Sequence, residues 1–125
     1  MNMVKTVCLD FDGVLAQYSV WNGLIGASIP EGAKLARMLK REGFKVVVQS
    51  CRTNRDLDKQ RLNYDSIILW LRDHDIPFDE LVVSGKALAD VYVDDRGVNF
   101  PSNEGPAEMV FREILRVLGS TEAKL

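Results

Sequence analysis

The stretch Cys8-Leu9-Asp10-Phe11-Asp12-Gly13-Val14 joins an apolar run to two carboxylates one residue apart. Alternation along a strand would place residues 10 and 12 on the same side, and Gly13 allows the backbone to turn sharply. Two anions this close repel each other unless a cation or a proton relieves them, and hard oxygen ligands of this kind suit Mg²⁺. The stretch therefore predicts a strand that ends in a magnesium site, although Asp-x-Asp-Gly is also typical of calcium loops and ordinary turns.

The composition is that of one globular domain, which we expect to span residues 1–125. Of the 125 residues, 46% are hydrophobic and 27% are charged, and this length supports a single core. The net charge of -2 argues against an obligate nucleic-acid binder. No apolar stretch is long enough to span a bilayer and no leader is recognisable, so we expect a cytoplasmic protein with no membrane partner. Both cysteines, Cys8 and Cys51, are expected to be reduced.

Short apolar runs alternate with helical patterns along the chain. The runs cover residues 4–9, 44–49, 81–83 and 91–93. Continuous β-branched runs such as residues 46–48 indicate strands that are buried on both faces, and this is typical of a parallel sheet covered by helices. Because right-handed crossovers connect such strands, all their carboxyl ends should meet at one edge of the sheet.

Three helices are predicted from the spacing of apolar residues. The first begins at Pro30 and ends at Gly43, and the third begins near Pro106 and ends before Gly119. The apolar stripes expected in the core are Tyr64, Ile67, Ile68 and Leu71 in the second helix, and Val110, Ile114, Leu115 and Leu118 in the third. Residues 13–30 contain Tyr18 and Trp21 between glycines, and we interpret them as a small hairpin or flap that either covers the sheet edge or gates a site.

Polar residues follow the three later strands as well. Ser50 follows the second strand, Lys86 comes just after the third, and Asp94-Asp95 follows the fourth. Ligands of open α/β sheets bind outside the carboxyl ends of the strands. Together with Asp10 and Asp12 after the first strand, these polar residues predict a site at that edge. Ser50 could also cap a helix, and Asp94-Asp95 could form a turn.

The order and spacing of these motifs resemble the haloacid dehalogenase superfamily. Asp10-Phe11-Asp12-Gly13 matches its first motif, Ser50 the second, Lys86 the third and Asp94-Asp95 the fourth, and the resemblance covers residues 4 to about 100. It implies a three-layer, Rossmann-like α/β fold with a central, mostly parallel sheet, and a Mg²⁺-dependent phosphohydrolase activity. Both positions at which this family inserts a cap domain are too short here, so the capless type is implied.

The resemblance also implies a role for each motif residue. Asp10 would be the nucleophile that forms an aspartyl-phosphate, and Asp12 would be the general acid and base, with its backbone carbonyl on the metal. Ser50 would donate a hydrogen bond to the phosphoryl group and Lys86 would neutralise its charge. The implied Mg²⁺ set comprises Asp10, Asp12, Asp94 and Asp95, of which Asp95 aligns with the direct ligand of the fourth motif and Asp94 with a supporting position.

A capless site would be open to exposed phosphates. Its phosphorylated substrate could be a nucleotide, a nucleic-acid end or a phosphoprotein, and a second copy of the chain could supply the missing lid. We expect Arg52 to contribute to substrate binding. The basic residues after the second motif, Arg52, Arg55, Lys59 and Arg61, would suit a polyanion. Because Asp56 and Asp58 dilute their charge, a solvated helix face is the favoured interpretation.

Two other classes of protein share parts of this pattern. A receiver-type signalling domain has a similar length and a phosphorylated aspartate, but it would carry adjacent acids after the first strand and its acceptor near mid-chain. A catalytically silent binding module could keep the fold, and the complete acidic set argues against it. The pattern therefore favours the phosphohydrolase.

Overall fold

The chain forms a five-stranded parallel sheet packed against helices. The computed structural model describes residues 4–17, 25–50, 57–83, 87–94, 98–99 and 107–122. Within these residues the elements are, in chain order, β1 (Thr6–Asp10), α1 (Pro30–Arg41), β2 (Lys45–Gln49), α2 (Leu57–Asp73), β3 (Glu80–Val82), β4 (Val91–Asp94), β5 (Val98–Asn99) and α3 (Ala107–Glu122). This architecture confirms the predicted α/β class and its parallel sheet, and it adds the short strand β5, which the sequence patterns did not indicate.

The strand order is β3-β2-β1-β4-β5, and every neighbouring pair is parallel. The central strand β1 therefore lies between β2 and β4. Strands β2 and β3 are added on one side of β1, and after β3 the chain crosses to the other side, where β4 and β5 are added. This is the order of a Rossmann-type sheet, whereas receiver domains have the order 2-1-3-4-5. The topology thus separates this chain from the receiver alternative.

The two faces of the sheet are covered differently. Val7 and Leu9 of β1 point to one face, which we call the helix face, because the main core there includes buried residues of α1, α2 and α3. Cys8 points to the other face and belongs to a separate cluster with Val47 and Ala87. We call this the crossover face, since residues 87–90, which lead from β3 back to β4, cover it without forming a helix. Among the described residues, the third layer is therefore a thin segment.

The observed helix ends and buried helical residues agree only in part with those predicted from the sequence. The first helix begins at Pro30 as predicted, and Gly43, with φ of 88°, follows its end. The prediction that the last helix ends before Gly119 was wrong, because α3 continues to Glu122 through a glycine that tolerates helical backbone. Leu115 is 45% exposed instead of buried, since it lies about 140° around the helix from Val110 at 100° per residue.

Tyr64 is the other residue that was wrongly assigned to the core. Its side chain is 40% exposed, although it lies on the same helical stripe as the buried residues Ile67 and Leu71. It borders an open hollow of about 440 Å³ between α2 and Val83, the residue that follows β3. The stripe of α2 is therefore buried at Ile67 and Leu71 but exposed at Tyr64. None of the described helices combines the length and hydropathy that a bilayer-spanning segment needs.

Candidate active site

Three side chains stand at the same level across the central strands. Asp10, the last residue of β1, is the Cα partner of Gln49 in β2. On the other side of β1, Leu9 is the partner of Val93, so Asp94 lies one residue beyond that pair, as Asp10 does. Neighbouring strands are about 4.8 Å apart. The register therefore brings together two carboxylates that are far apart in the sequence.

These three residues also point to the same side of the sheet. Each follows by two positions a residue of the crossover face, namely Cys8, Val47 or Tyr92, and alternate residues of a strand share a face. All three are half-buried. Asp10 and Asp94 therefore form a pair of neighbouring carboxylates at the carboxyl edge of the sheet, on the crossover face.

A tight turn follows β1 and buries the second carboxylate of the first motif. The Phe11 amide donates to the carbonyl of Gln49 at 2.8 Å, and the Leu15 amide donates to the carbonyl of Phe11 at 3.0 Å. Gly13 has φ of 94°, a conformation that other residues rarely adopt. Asp12 is only 7% exposed. The turn thus holds Asp12 beside the end of β1 and largely shielded from solvent.

The described ends of segment 13–30 pair with each other. The Gln17 amide donates to the Ala27 carbonyl at 2.7 Å, and Ala16 forms an antiparallel bridge with Ser28. This antiparallel pairing holds residues 16–17 next to residues 27–28. Tyr18 and Trp21 lie outside the described residues, so a gating role for this segment stays a prediction.

Ser50 lies at the same edge, directly after β2. Its amide donates to the carbonyl of Val82 at 3.0 Å, which extends the pairing between β2 and β3 by one residue. The side chain is 1% exposed, an unusual degree of burial for serine. The structure therefore brings four predicted site residues to one edge, namely Asp10, Asp12, Ser50 and Asp94.

The other predicted site residues, Lys86, Asp95 and Arg52, lie outside the described part of the chain. Their roles stay predictions. Ala87, the residue after Lys86, is described, and its amide donates to Oε1 of Gln49 at 3.1 Å. The chain next to Lys86 is therefore attached to the strand that neighbours Asp10.

The donors for a cation are all oxygens. Within the described ranges, no three side chains of His, Cys, Asp or Glu come together as a metal-binding group. The side-chain donors at the edge are the carboxylates of Asp10 and Asp94, and the carbonyl of Asp12 would be a third donor. Such hard oxygen donors suit Mg²⁺ and not a metal that prefers thiolates. The residues present thus fit the predicted magnesium, with Asp95 as the untested further ligand.

Sequence reasoning missed two polar residues beside the site, Gln49 and Tyr92. Gln49 Oε1 accepts the Ala87 amide, and the Tyr92 hydroxyl donates to the Ala87 carbonyl at 2.6 Å. For Gln49 there was one local signal in the sequence, namely a glutamine at the end of an otherwise apolar run and next to Ser50. Nothing in the local pattern of β4 distinguishes Tyr92 from a packing residue.

Comparisons with known proteins show where else this fold occurs. No protein-family model and no curated protein matches the chain significantly. Among solved structures, it is similar to a conserved protein from Bacteroides thetaiotaomicron, with a TM-score of 0.65 and 22% identity over 91% of this chain and 92% of that one. It is also similar to a protein from Vibrio cholerae, with a TM-score of 0.57 and 18% identity over 95% of this chain and 100% of that one.

A third similarity is to part of a larger chain. A structure of the Pnkp1/Rnl/Hen1 RNA repair complex matches with a TM-score of 0.53 and 19% identity, over 90% of this chain but 40% of that chain. At these identities the comparisons show a shared fold.

Proposed function

We propose that the chain is a Mg²⁺-dependent phosphohydrolase of the capless haloacid dehalogenase type, which cleaves a phosphomonoester through Asp10. The observation that carries the proposal is the pairing of Asp10 with Asp94, two motif residues at the same level of neighbouring strands and on the same face. The buried carboxyl of Asp12 follows in the turn. The strand order is also that of the Rossmann-like fold that the resemblance to the superfamily implies.

Charge is the main obstacle to this chemistry. A phosphomonoester is an anion and repels the Asp10 carboxylate, so the site needs positive charge at the phosphoryl group. Bound Mg²⁺, held by Asp10, Asp95 and the Asp12 carbonyl with Asp94 in support, would supply part of that charge. Lys86 would supply the rest.

The reaction would proceed in two steps. In the first, an oxygen of Asp10 forms a bond to phosphorus, the bond from phosphorus to the leaving oxygen breaks, and Asp12 donates its proton to that oxygen. In the second, Asp12 takes a proton from water, the water oxygen bonds to phosphorus, and the bond to Asp10 breaks with release of phosphate. The Ser50 hydroxyl would donate to a phosphoryl oxygen throughout, and Arg52 would contact the remainder of the substrate.

Hydrolysis of p-nitrophenyl phosphate with Mg²⁺ tests this proposal. We expect turnover by the wild type and a loss on the order of 100-fold or more in Asp10→Asn and in Asp12→Asn. Asp90→Asn is the matched control, because Asp90 exchanges hydrogen bonds with Thr6 at the opposite edge of the sheet. Rapid turnover by Asp10→Asn would exclude the nucleophile assignment. A wild type that is inactive on a panel of phosphate esters would exclude the function.

The substrate class that we propose is an exposed phosphate, such as that of a nucleotide or a nucleic-acid end, because an open site has no cap to enclose a small molecule. On α2, Lys59 and Arg61 are exposed, but so are Asp58 and Asp65. This mixed charge makes α2 a poor polyanion surface by itself. Comparing kcat/KM for an oligonucleotide 3′-phosphate with that for a small sugar phosphate tests the substrate class, and equal values would reject the nucleic-acid end.

A further inference from the structure

Both backbone polar groups of Ala87 are bound by side chains. Its amide donates to Oε1 of Gln49 at 3.1 Å, and its carbonyl accepts from the Tyr92 hydroxyl at 2.6 Å. The same hydroxyl accepts the Ala89 amide at 3.1 Å. Gln49 belongs to β2 and Tyr92 to β4, so strands on either side of β1 hold this one residue.

The contacts lie in a buried setting. Ala87 is 6% exposed and packs with Cys8 at 3% and Val47 at 2%. The Cys8 thiol also lies within hydrogen-bonding distance of Gln49 Oε1, at 3.6 Å. Hydrogen bonds of buried backbone groups are costly to leave unmade. The two side chains therefore hold Ala87 firmly against the crossover face.

Side chains are needed here because the crossover segment has no regular structure of its own. Residues 87–90 belong to neither a helix nor a strand, so the backbone groups of Ala87 have no strand ladder to bind them. At the far end of the segment, Asp90 accepts the Thr6 amide at 2.7 Å and donates its own amide to the Thr6 carbonyl at 2.8 Å. The segment is thus fixed at both ends, and one end is next to Lys86.

We infer that Gln49 and Tyr92 are positioning residues, which hold Ala87 so that Lys86 is presented to the phosphoryl group at the carboxyl edge. The inference rests on the proposed function. A lysine is a point charge on a flexible stem, so the place of its charge depends on where its Cα is held. Lys86 directly precedes Ala87 in the sequence. Fixing Ala87 therefore limits where the Lys86 stem begins.

Two substitutions remove the contacts with little change of volume. Gln49→Met keeps the length of the side chain but loses the acceptor for the Ala87 amide, and Tyr92→Phe loses only the hydroxyl. Each should lower kcat/KM for p-nitrophenyl phosphate on the order of 10-fold. Asp90→Ala is the control, because it loosens the same segment at its far end. It should lower the melting temperature and leave kcat/KM unchanged.

A double-mutant cycle separates positioning from a general structural role. In a Lys86→Met background, Gln49→Met and Tyr92→Phe should cause no further loss of kcat/KM, because both act through the lysine. The same loss in both backgrounds would overturn the inference, and so would full activity of both variants in the wild-type background. If circular dichroism shows that Gln49→Met is unfolded, Tyr92→Phe decides alone. An inactive wild type would overturn the proposed function together with this inference, whereas an active wild type with equally active variants would overturn the inference only.

Discussion

Gly32 of α1 lies directly against the carbonyl oxygen of Val14. A Cβ atom at position 32 would come within 1.8 Å of that oxygen and 2.8 Å of its carbon, distances that no side chain can occupy. Val14 belongs to the turn that buries Asp12. The helix thus reaches the turn only because residue 32 has no side chain, and the packing of α1 helps to set where Asp12 lies.

We expect Gly32→Ala to destabilise the fold and to reduce phosphatase activity, because α1 and the Val14 turn must move apart. The free energy of unfolding should fall by about 1–3 kcal/mol, the usual cost of overpacking. Gly119→Ala is the matched control, since Gly119 is also helical and nothing lies near its Cβ position. It should gain up to about 1 kcal/mol from helix propensity. Urea denaturation measures the free energy of unfolding of both variants. Equal changes in Gly32→Ala and Gly119→Ala would contradict the prediction.

Magnesium should stabilise the wild type against heat. A ligand that binds only the folded state at about 100 times its Kd adds about 2.7 kcal/mol of stability. Asp10→Asn should lose most of this shift, and without Mg²⁺ it should melt at a higher temperature than the wild type because a repulsion between carboxylates is relieved. Differential scanning fluorimetry measures both effects without any substrate. A full Mg²⁺ shift in Asp10→Asn would remove Asp10 from the metal site, and Asp90→Asn should keep the shift.

The Asp79 carboxylate should make stability depend on pH in acid. Partial burial alone would raise the pKa of Asp79, but hydrogen bonds from Lys40 at 2.8 Å and from the Val46 amide at 2.7 Å outweigh it, so the pKa is lowered from 3.8. Because the folded pKa lies below the unfolded one, this stabilisation is complete above the unfolded pKa and is lost as pH falls through the folded pKa.

Asp79→Asn tests that linkage, since the amide oxygen can still accept from Val46 but carries no charge. At neutral pH the variant should be about 0.5–1 kcal/mol less stable than the wild type, a modest figure because the pair with Lys40 is about one third exposed. The difference should shrink as pH falls below the unfolded pKa, near 4. Urea denaturation at neutral and at acidic pH measures the difference in unfolding free energy between the wild type and Asp79→Asn. An equal difference at both pH values would refute the prediction.

The helix face should be much more sensitive to truncation than the outer surface of α2. Leu39 of α1 is 0% exposed and Leu69 of α2 is 59% exposed. We expect Leu39→Ala to cost about 2–5 kcal/mol, since it leaves a cavity in the main core. Leu69→Ala should change stability by about 0.5 kcal/mol or less. Chemical denaturation distinguishes the two, and a large loss in Leu69→Ala would reveal a packing contact of that residue.

Local patterns were sufficient for the three helices and for strands β1 to β4, although not for β5 or for the end of α3. The β-branched run at residues 46–48 predicts a buried parallel strand, because only such strands are apolar on both faces, and the structure confirms it. Pro30 marks the start of α1 because its fixed φ suits a first helical turn. Asp10 lies at the end of β1 as expected. The roles of Lys86, Asp95 and Arg52 are still predictions.

Other features were set only by the tertiary structure. The sequence by itself determined the three helices and strands β1 to β4, because hydrophobic periodicity acts between near neighbours. It did not determine that Gln49 and Tyr92 bind Ala87, or that Gly32 touches Val14, since these contacts depend on strand register and on the path of the crossover. Such contacts join residues that are distant along the chain, and no local pattern encodes which of them will meet.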